Sequence, residues 1–305
     1  MTPLDPPSLP NHAAATAPGR LAAVVESMPP FPAALLRVRR VLGDATTSSD
    51  DLTASVAMDA RLSVAVMRLA NSARYGVSER RFSLGQSIGR IGRSELRALV
   101  DALSLQKLFR GAAVDPIVIA EIWGFSLQGA FAARHWAAHL PGQPADRDEA
   151  FSVALFRDLG RIVADGALAE AGVGSDLYTQ PQQRLSAERE VLGYTHAALS
   201  AALVAHWGFG EAVALAIGSH HDAPVVGTGE ALALVAQLGD RTAVAVAGGV
   251  AGASSDPANG EERPDPYGLL QPQLDVLLPD SRAAWDAIVA AAAADLSAYS
   301  GLLAA

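Results

Sequence analysis

From Leu21 onward, apolar positions recur at three- and four-residue intervals, with no alternating stretch of useful length before the last third of the chain. That period predicts an all-α protein. Pro32 opens a helix over Ala33 to Leu42, because its missing N–H would have had no partner there, and Gly43 and Asp44 end it. Ser48 or Ser49 caps a short helix through Met58, with Asp50 and Asp51 in the first turn where they complement the macrodipole. Asp59 caps ARLSVAVMRLANSARYG, whose inner face is Leu62, Val66, Leu69 and Ala70 and whose stop is Gly76. Phe82 to Ile91 and Ser94 to Phe109 follow as two helices separated by Gly92.

The second half opens at Asp115 and Pro116 with a long helix to about Leu140, closed by the turn PGQPADRD. An apolar helix over Phe151 to Val163 comes next, then a polar connection around Tyr178 to Gln183 and a short helix SAEREVLG. Thr195 caps HAALSAALVAHWGF, GEAVALAIGSHHD stops before Pro224, and Gly229 to about Val246 forms one more helix. Gly248 to Gly268 has the composition of a linker, and Asp280 to Leu296 is Ala-rich and helical, with Trp285 and Ile288 on one face. The expected organisation is a disordered leader over 1–20 and a two-lobed unit over 21–247, divided at 112/113. A linker over 248–279 and a final helix over 280–305 complete it.

Composition narrows the function classes. Half of the 305 residues are hydrophobic and 18% are charged, which fits a globular chain. A net charge of −9 argues against a general phosphate-backbone binder. The absence of cysteine excludes disulfides and thiolate metal sites. The N-terminal stretch lacks the apolar core of a signal peptide, and Thr242 to Ala253 is too short and Gly-rich to span a bilayer. A cytoplasmic protein is expected, with no membrane partner.

One acid breaks the apolar pattern of FSVALFRDLGRIV. Asp158 lies three residues after Leu155 and four before Ile162, on or beside the inward face. Burying an unpaired carboxylate costs several kcal/mol, so Asp158 must hold a cation, accept several hydrogen bonds or border a polar cleft.

LFRDLGR resembles the LLHDIGR or LLHDIGK signature of the HD superfamily of metal-dependent phosphohydrolases, with Arg157 in the place of the histidine. The words MPPFPAALLRVRRVL, MDARLSVAVMRLANSARYG and SLGQSIGRIGRSELRALV resemble the N-terminal half of the HDOD family, HD-related output domains of bacterial signalling proteins. The resemblance extends through Pro224 and more weakly to Asp240. It implies an HDOD fold in which an N-terminal helical lobe over 21–112 packs on an HD-like lobe over 113–247.

The same resemblance implies a ligand set drawn from several helices, where His and carboxylate together suit a divalent transition metal. The early histidine falls at Phe125 in IWGFS and the next at Arg157, while Asp158 is kept. His196, His220, His221 and Asp240 match the later ligands. Neither Phe nor Arg can ligate a metal. A fixed positive charge at Arg157 would instead balance Asp158, giving a degenerate site with no metal and no cofactor. Any residual metal would use Asp158, His196, His220, His221 and Asp240.

Plainer roles exist for several of these residues. His196 suits a first helical turn, His220 and His221 suit a helix C-terminus, and His135 and His139 suit an exposed helix end. Arg80, Arg81, Arg90, Arg93 and Arg97, interrupted by Glu79 and Glu95, surround a turn between helices that packing alone explains. Three function classes follow. The favoured one is a non-catalytic regulatory module that binds a signalling protein in trans; the others are a metal-dependent phosphohydrolase with atypical ligands and a DNA-binding regulator.

Overall fold

Short polar side chains and prolines start many of the helices in the computed structural model, which describes residues 17–76, 82–109, 116–141, 145–173, 181–222, 231–250, 266–278 and 280–303. The first lobe comprises α1 (Ala17–Ser27), α2 (Ala33–Gly43), α3 (Ser49–Ala57), α4 (Ala60–Ala70), a 3-10 turn at Ala73–Tyr75, α5 (Leu84–Ile91) and α6 (Arg93–Phe109). Ser48 caps α3 by accepting from the Asp51 N–H, and Asp59 caps α4 by accepting from the Leu62 N–H. Ser83 and Gln86 form a capping box at α5. Gly92 ends that helix at φ 83°, a conformation that other residues adopt at a steric cost.

The second lobe comprises α7 (Pro116–His139), α8 (Arg147–Phe156), α9 (Arg161–Glu170), α10 (Pro181–Leu192), α11 (His196–His206), α12 (Glu211–Gly218) and α13 (Ala231–Val250). Two further helices, α14 (Pro266–Leu277) and α15 (Ser281–Leu303), complete the described chain, which contains no strand among the described residues. No helix among them is long and apolar enough to cross a membrane.

Helix α7 is the axis of the second lobe, with α8, α13 and α15 packed around it. It is apolar on most sides, as a helix surrounded by others must be. Phe131 meets Phe151 of α8 and Tyr299 of α15 edge-on, and the buried Trp136 indole donates to Thr242 of α13 at 2.9 Å. At the α7–α13 crossing the backbones touch: a Cβ on Gly239 would stand 2.5 Å from the Gly129 carbonyl oxygen.

Buried charge joins the lobes. Arg39 of α2 pairs with Asp101 of α6 at 2.5 Å, and Asp101 also accepts from Ser152 of α8. Glu95 of α6 accepts from Arg134 of α7 at 3.0 Å and from the Tyr299 hydroxyl at 2.9 Å. Phe31 before α2 lies against Phe156, Trp207 and Phe209 of the second lobe.

Several expected boundaries move. Phe151 to Val163 is not one helix, because α8 stops at Phe156 and α9 begins at Arg161. A tertiary contact sets the break: Gly160 donates its N–H to Ser200 Oγ at 2.8 Å and sits so close to α11 that a Cβ there would lie 2.3 Å from the His196 carbonyl oxygen.

The expected leader ends earlier. Residues 17–20 already belong to α1, whose Val24 and Val25 are buried and which packs on α11; residues 1–16 lie outside the described residues.

Within the expected linker, 266–277 is helical. Pro266 is tolerated at its first position, and Tyr267 and Leu274 are buried, with Tyr267 edge-on to Trp285 at 5.8 Å. Residues 251–265 lie outside the described residues. Trp285 and Ile288 are both buried, so the last helix packs back on the domain, and it continues to Leu303.

Candidate functional site

Four elements converge below α7. Arg157 and Asp158 occupy the turn between α8 and α9, and His196 opens α11 behind its cap Thr195, whose side chain accepts from the Ala198 N–H. His220 and His221 follow the end of α12, and Asp240 lies on α13. Because the α8–α9 turn leaves the helical path, both side chains of the Arg157–Asp158 pair reach this junction.

Arg157 is 1% exposed and occupies the middle of it. Its Nη2 donates to Asp240 Oδ1 at 2.7 Å, its Nε lies 3.3 Å from Asp158 Oδ2, and its Nη1 donates to the Ala154 carbonyl. Room for the guanidinium comes from Gly129 of α7, where a Cβ would stand 2.6 Å from Nη1. Gly129 lies one turn after Phe125, on the same side of α7. Phe125 itself is 39% exposed.

Burial works against the charge of Arg157, but the Asp240 and Asp158 carboxylates outweigh it and hold the pKa above its ordinary value. Burial would likewise raise Asp158, yet Arg157, Arg161, His220 and His196 together hold its carboxyl well below the usual range.

On the other side of Asp158 stand the histidines. Ligand atoms of Asp158, His196, His220 and His221 all lie within 4.8 Å of one another. His196 Nε2 is 3.5 Å from Asp158 Oδ1 and 3.0 Å from His221 Nε2. Burial lowers His220 to about 4 and His221 to about 3, so both rings are neutral at pH 7.

A carboxylate that the sequence reading passed over supports His196. Glu188 of α10 is fully buried and accepts from His196 Nδ1 at 2.8 Å and from the His196 backbone N–H at 2.8 Å. Arg184 Nε donates to Glu188 Oε1 at 2.9 Å, and Arg184 also pairs with the buried Asp165 of α9. Burial alone would raise Glu188; His196 and Arg184 reverse the shift and lower it. The available signal was an acid eight residues before His196 in EREVLGYTH, together with the inward acid Asp165 in RIVADGALAE.

Other candidate residues go elsewhere. His135 Nε2 faces Asp295 of α15 at 3.0 Å, and His139 Nδ1 donates to the His135 carbonyl, so this pair does not converge on one point. The guanidinium of Arg93 donates to the carbonyls of Val41, Leu42 and Asp44, that of Arg97 to Leu42, and that of Arg90 to Ala70, Tyr75 and Gly76. These arginines cap neighbouring chain ends. Arg80 and Arg81 lie outside the described residues.

The full ligand set that the HD resemblance implies does not fit these residues. Phe125 and Arg157 offer no lone pair, and the Arg157 guanidinium already bridges the carboxylates that would have shared an ion. A single ion fits better. Three imidazoles and one carboxylate suit a divalent transition metal, and His220 Nε2 is buried with no hydrogen-bond partner.

The HDOD domain family model matches residues 28–223. A protein of Treponema pallidum (strain Nichols) is 23% identical over 205 residues, a match that covers 66% of this chain and 39% of that relative's length. Among solved structures, an HDOD domain protein from Geobacter sulfurreducens superposes with TM-score 0.60 at 19% identity over 93% of each chain. A proposed phosphohydrolase from Shewanella amazonensis SB2B reaches 0.61 at 20% identity over 93% of this chain and 95% of its own. A proposed signal transduction protein from Marinobacter aquaeolei VT8 reaches 0.55 at 22% identity over 89% and 61%. At these identities the likeness establishes the shared fold, while the family match spans well over half of this sequence. From its helical words, its two-lobed architecture and that match, the chain belongs to the HDOD domain family.

Proposed function

We propose that this chain is a regulatory HDOD module that acts by binding a signalling protein in trans and does not hydrolyse phosphodiesters at its HD-type site. The observation that carries this reading is the buried guanidinium of Arg157, held between Asp158 and Asp240. Hydrolysis of this class needs a Lewis acid that polarises phosphoryl oxygen and makes a nucleophile of bound water. A guanidinium supplies fixed charge and donors, but binds no water as a ligand and does not lower its pKa.

A binding role also suits the surface beside the site. Leu215 of α12 is 66% exposed over a shallow apolar groove that includes Ala201, Ala205, Phe209 and Ala214. The Marinobacter neighbour is described as a proposed signal transduction protein, which agrees with a regulatory role.

A second reading, a metal-dependent phosphohydrolase with an atypical ligand set, is favoured by the Asp158–His196–His220–His221 cluster and by the description of the Shewanella neighbour. DNA binding is disfavoured, since Arg90, Arg93 and Arg97 spend their guanidinia on backbone carbonyls. Hydrolysis of bis(p-nitrophenyl) phosphate and of cyclic dinucleotides in the presence of manganese, iron or cobalt separates the first two readings. The regulatory reading expects no turnover above the metal-only background. Turnover that disappears in Asp158→Ala establishes the enzyme.

A further inference from the structure

His196 and His220 each commit one ring nitrogen to a fixed acceptor. Glu188 receives His196 Nδ1 at 2.8 Å, and the Ile217 carbonyl receives His220 Nδ1 at 2.6 Å. Since both acceptors lack a proton to give, each Nδ1 carries the hydrogen, and in a neutral ring Nε2 keeps its lone pair. His220 Nε2 is buried and meets no donor. His196 Nε2 accepts from His221 Nε2 at 3.0 Å, a hydrogen that moves to His221 Nδ1 when an ion binds, and lies 3.5 Å from Asp158 Oδ1.

Two atoms each about 2.0 Å from a tetrahedral ion stand about 3.3 Å apart, and the two separations around His196 Nε2 bracket that value. Metal-bound histidines characteristically donate their other N–H to a carboxylate or a carbonyl, as His196 and His220 do here.

We infer that Asp158, His196, His220 and His221 form a closed site for one divalent transition-metal ion, which ties the α8–α9 turn to α11 and to the end of α12. Four protein ligands complete a tetrahedron and leave no position for a water nucleophile, which is how structural sites differ from catalytic ones. The site deepens the regulatory reading above and rests on it for that closed coordination. Arg157 limits the count to one ion by occupying the Asp240 carboxylate with its guanidinium.

Glu188 is a positioning residue in this arrangement. It fixes the tautomer and orientation of His196, and it is itself held by Arg184, whose other contact is Asp165. None of these three touches the ion.

The test uses the full chain, stripped of metal and titrated with cobalt(II). The expected result is one cobalt per chain with the intense visible absorption of tetrahedral coordination. Affinity falls at least about tenfold in His220→Ala and about 10- to 100-fold in Glu188→Gln, while Glu188→Gln keeps the tetrahedral spectrum. His135→Ala binds cobalt unchanged. In the double change Phe125→His, Arg157→His, the stoichiometry rises to two.

A second measurement needs no variant. In ¹⁵N spectra of histidine-labelled protein, zinc moves three Nε2 signals and leaves the Nδ1 signals of His196 and His220 protonated. Absence of cobalt binding, or binding unaffected by His220→Ala, overturns the metal site and leaves the non-hydrolytic reading standing. Cobalt-dependent phosphodiester turnover overturns the closed coordination and that reading together.

Discussion

The Nη2 of Arg157 and the Oδ1 of Asp240 meet at 2.7 Å across 83 residues of chain. The same guanidinium lies 3.3 Å from Asp158, so one side chain joins the α8–α9 turn to α13. Arg157→Leu leaves a buried Asp158 with its principal counter-charge gone, and removing one partner of a buried pair costs about 3–5 kcal/mol. Urea denaturation should show a loss near the lower end of that range, because Asp240 is partly exposed and can rehydrate. Arg157→Lys should recover little, since an ammonium cannot reach Asp158, Asp240 and the Ala154 carbonyl at once.

Three glycines permit the close approaches around this junction. A Cβ at Gly160 would collide with the His196 carbonyl oxygen at 2.3 Å, and one at Gly239 with the Gly129 carbonyl oxygen at 2.5 Å. Neither backbone can yield locally. Gly160→Ala and Gly239→Ala should each destabilise by about 2 kcal/mol or more. Gly124→Ala, on the same α7 and with nothing within 4 Å of the added Cβ, should be neutral or stabilising by up to about 1 kcal/mol. Thermal melts of the three variants check the order.

Acid should weaken the metal-free protein before the carboxylates titrate. His220 and His221 sit at about 4 and about 3 in the folded chain, below the ordinary histidine value of 6.5, because burial disfavours the charged ring. Between those values and 6.5 the unfolded chain binds more protons, so stability rises with pH there. It is fully present above pH 6.5 and is lost as pH falls toward 4. Denaturant titrations at pH 7 and pH 5 should differ by about 3–4 kcal/mol, and His221→Asn should remove about half of the difference.

A buried hydroxyl helps to hold α15 to the first lobe, beside the Arg74–Asp295 ion pair. Tyr299 donates to Glu95 at 2.9 Å, and Glu95 in turn receives Arg134. Burial, then the Glu95 charge and the hydrogen bond to it, raise the Tyr299 pKa well above the ordinary value, so the phenol stays a donor. Tyr299→Phe removes that donor from a charged acceptor and should cost about 1.5–3 kcal/mol by equilibrium denaturation. Removal of residues 280–305 uncovers Phe131 and Trp136 on α7 and should yield protein that binds the dye ANS.

Local chemistry was legible in the sequence where it acts locally. Ser48, Asp59 and Thr195 each accept from the N–H three residues on, as short polar side chains before an apolar run should. The break at 157–160 was not legible, because Leu155, Leu159 and Ile162 keep a helical period straight through it. What interrupts the helix is Ser200 and the His196 carbonyl, some 40 residues away. Glu188 and Asp165 were passed over for a related reason: an acid on a charged helix reads as solvated until the fold places Arg184 between them. Asp240 matches a later ligand position of the family, and its partner in the fold, Arg157, lies 83 residues away, beyond the reach of any local pattern.

Anomalous diffraction from crystals grown in excess manganese bears most directly on whether Arg157 stands where an ion would. The expected map shows the guanidinium between Asp158 and Asp240 and no anomalous peak within about 2.5 Å of the Asp240 carboxylate. A peak at that carboxylate, with the Arg157 side chain swung out of the junction, would contradict it.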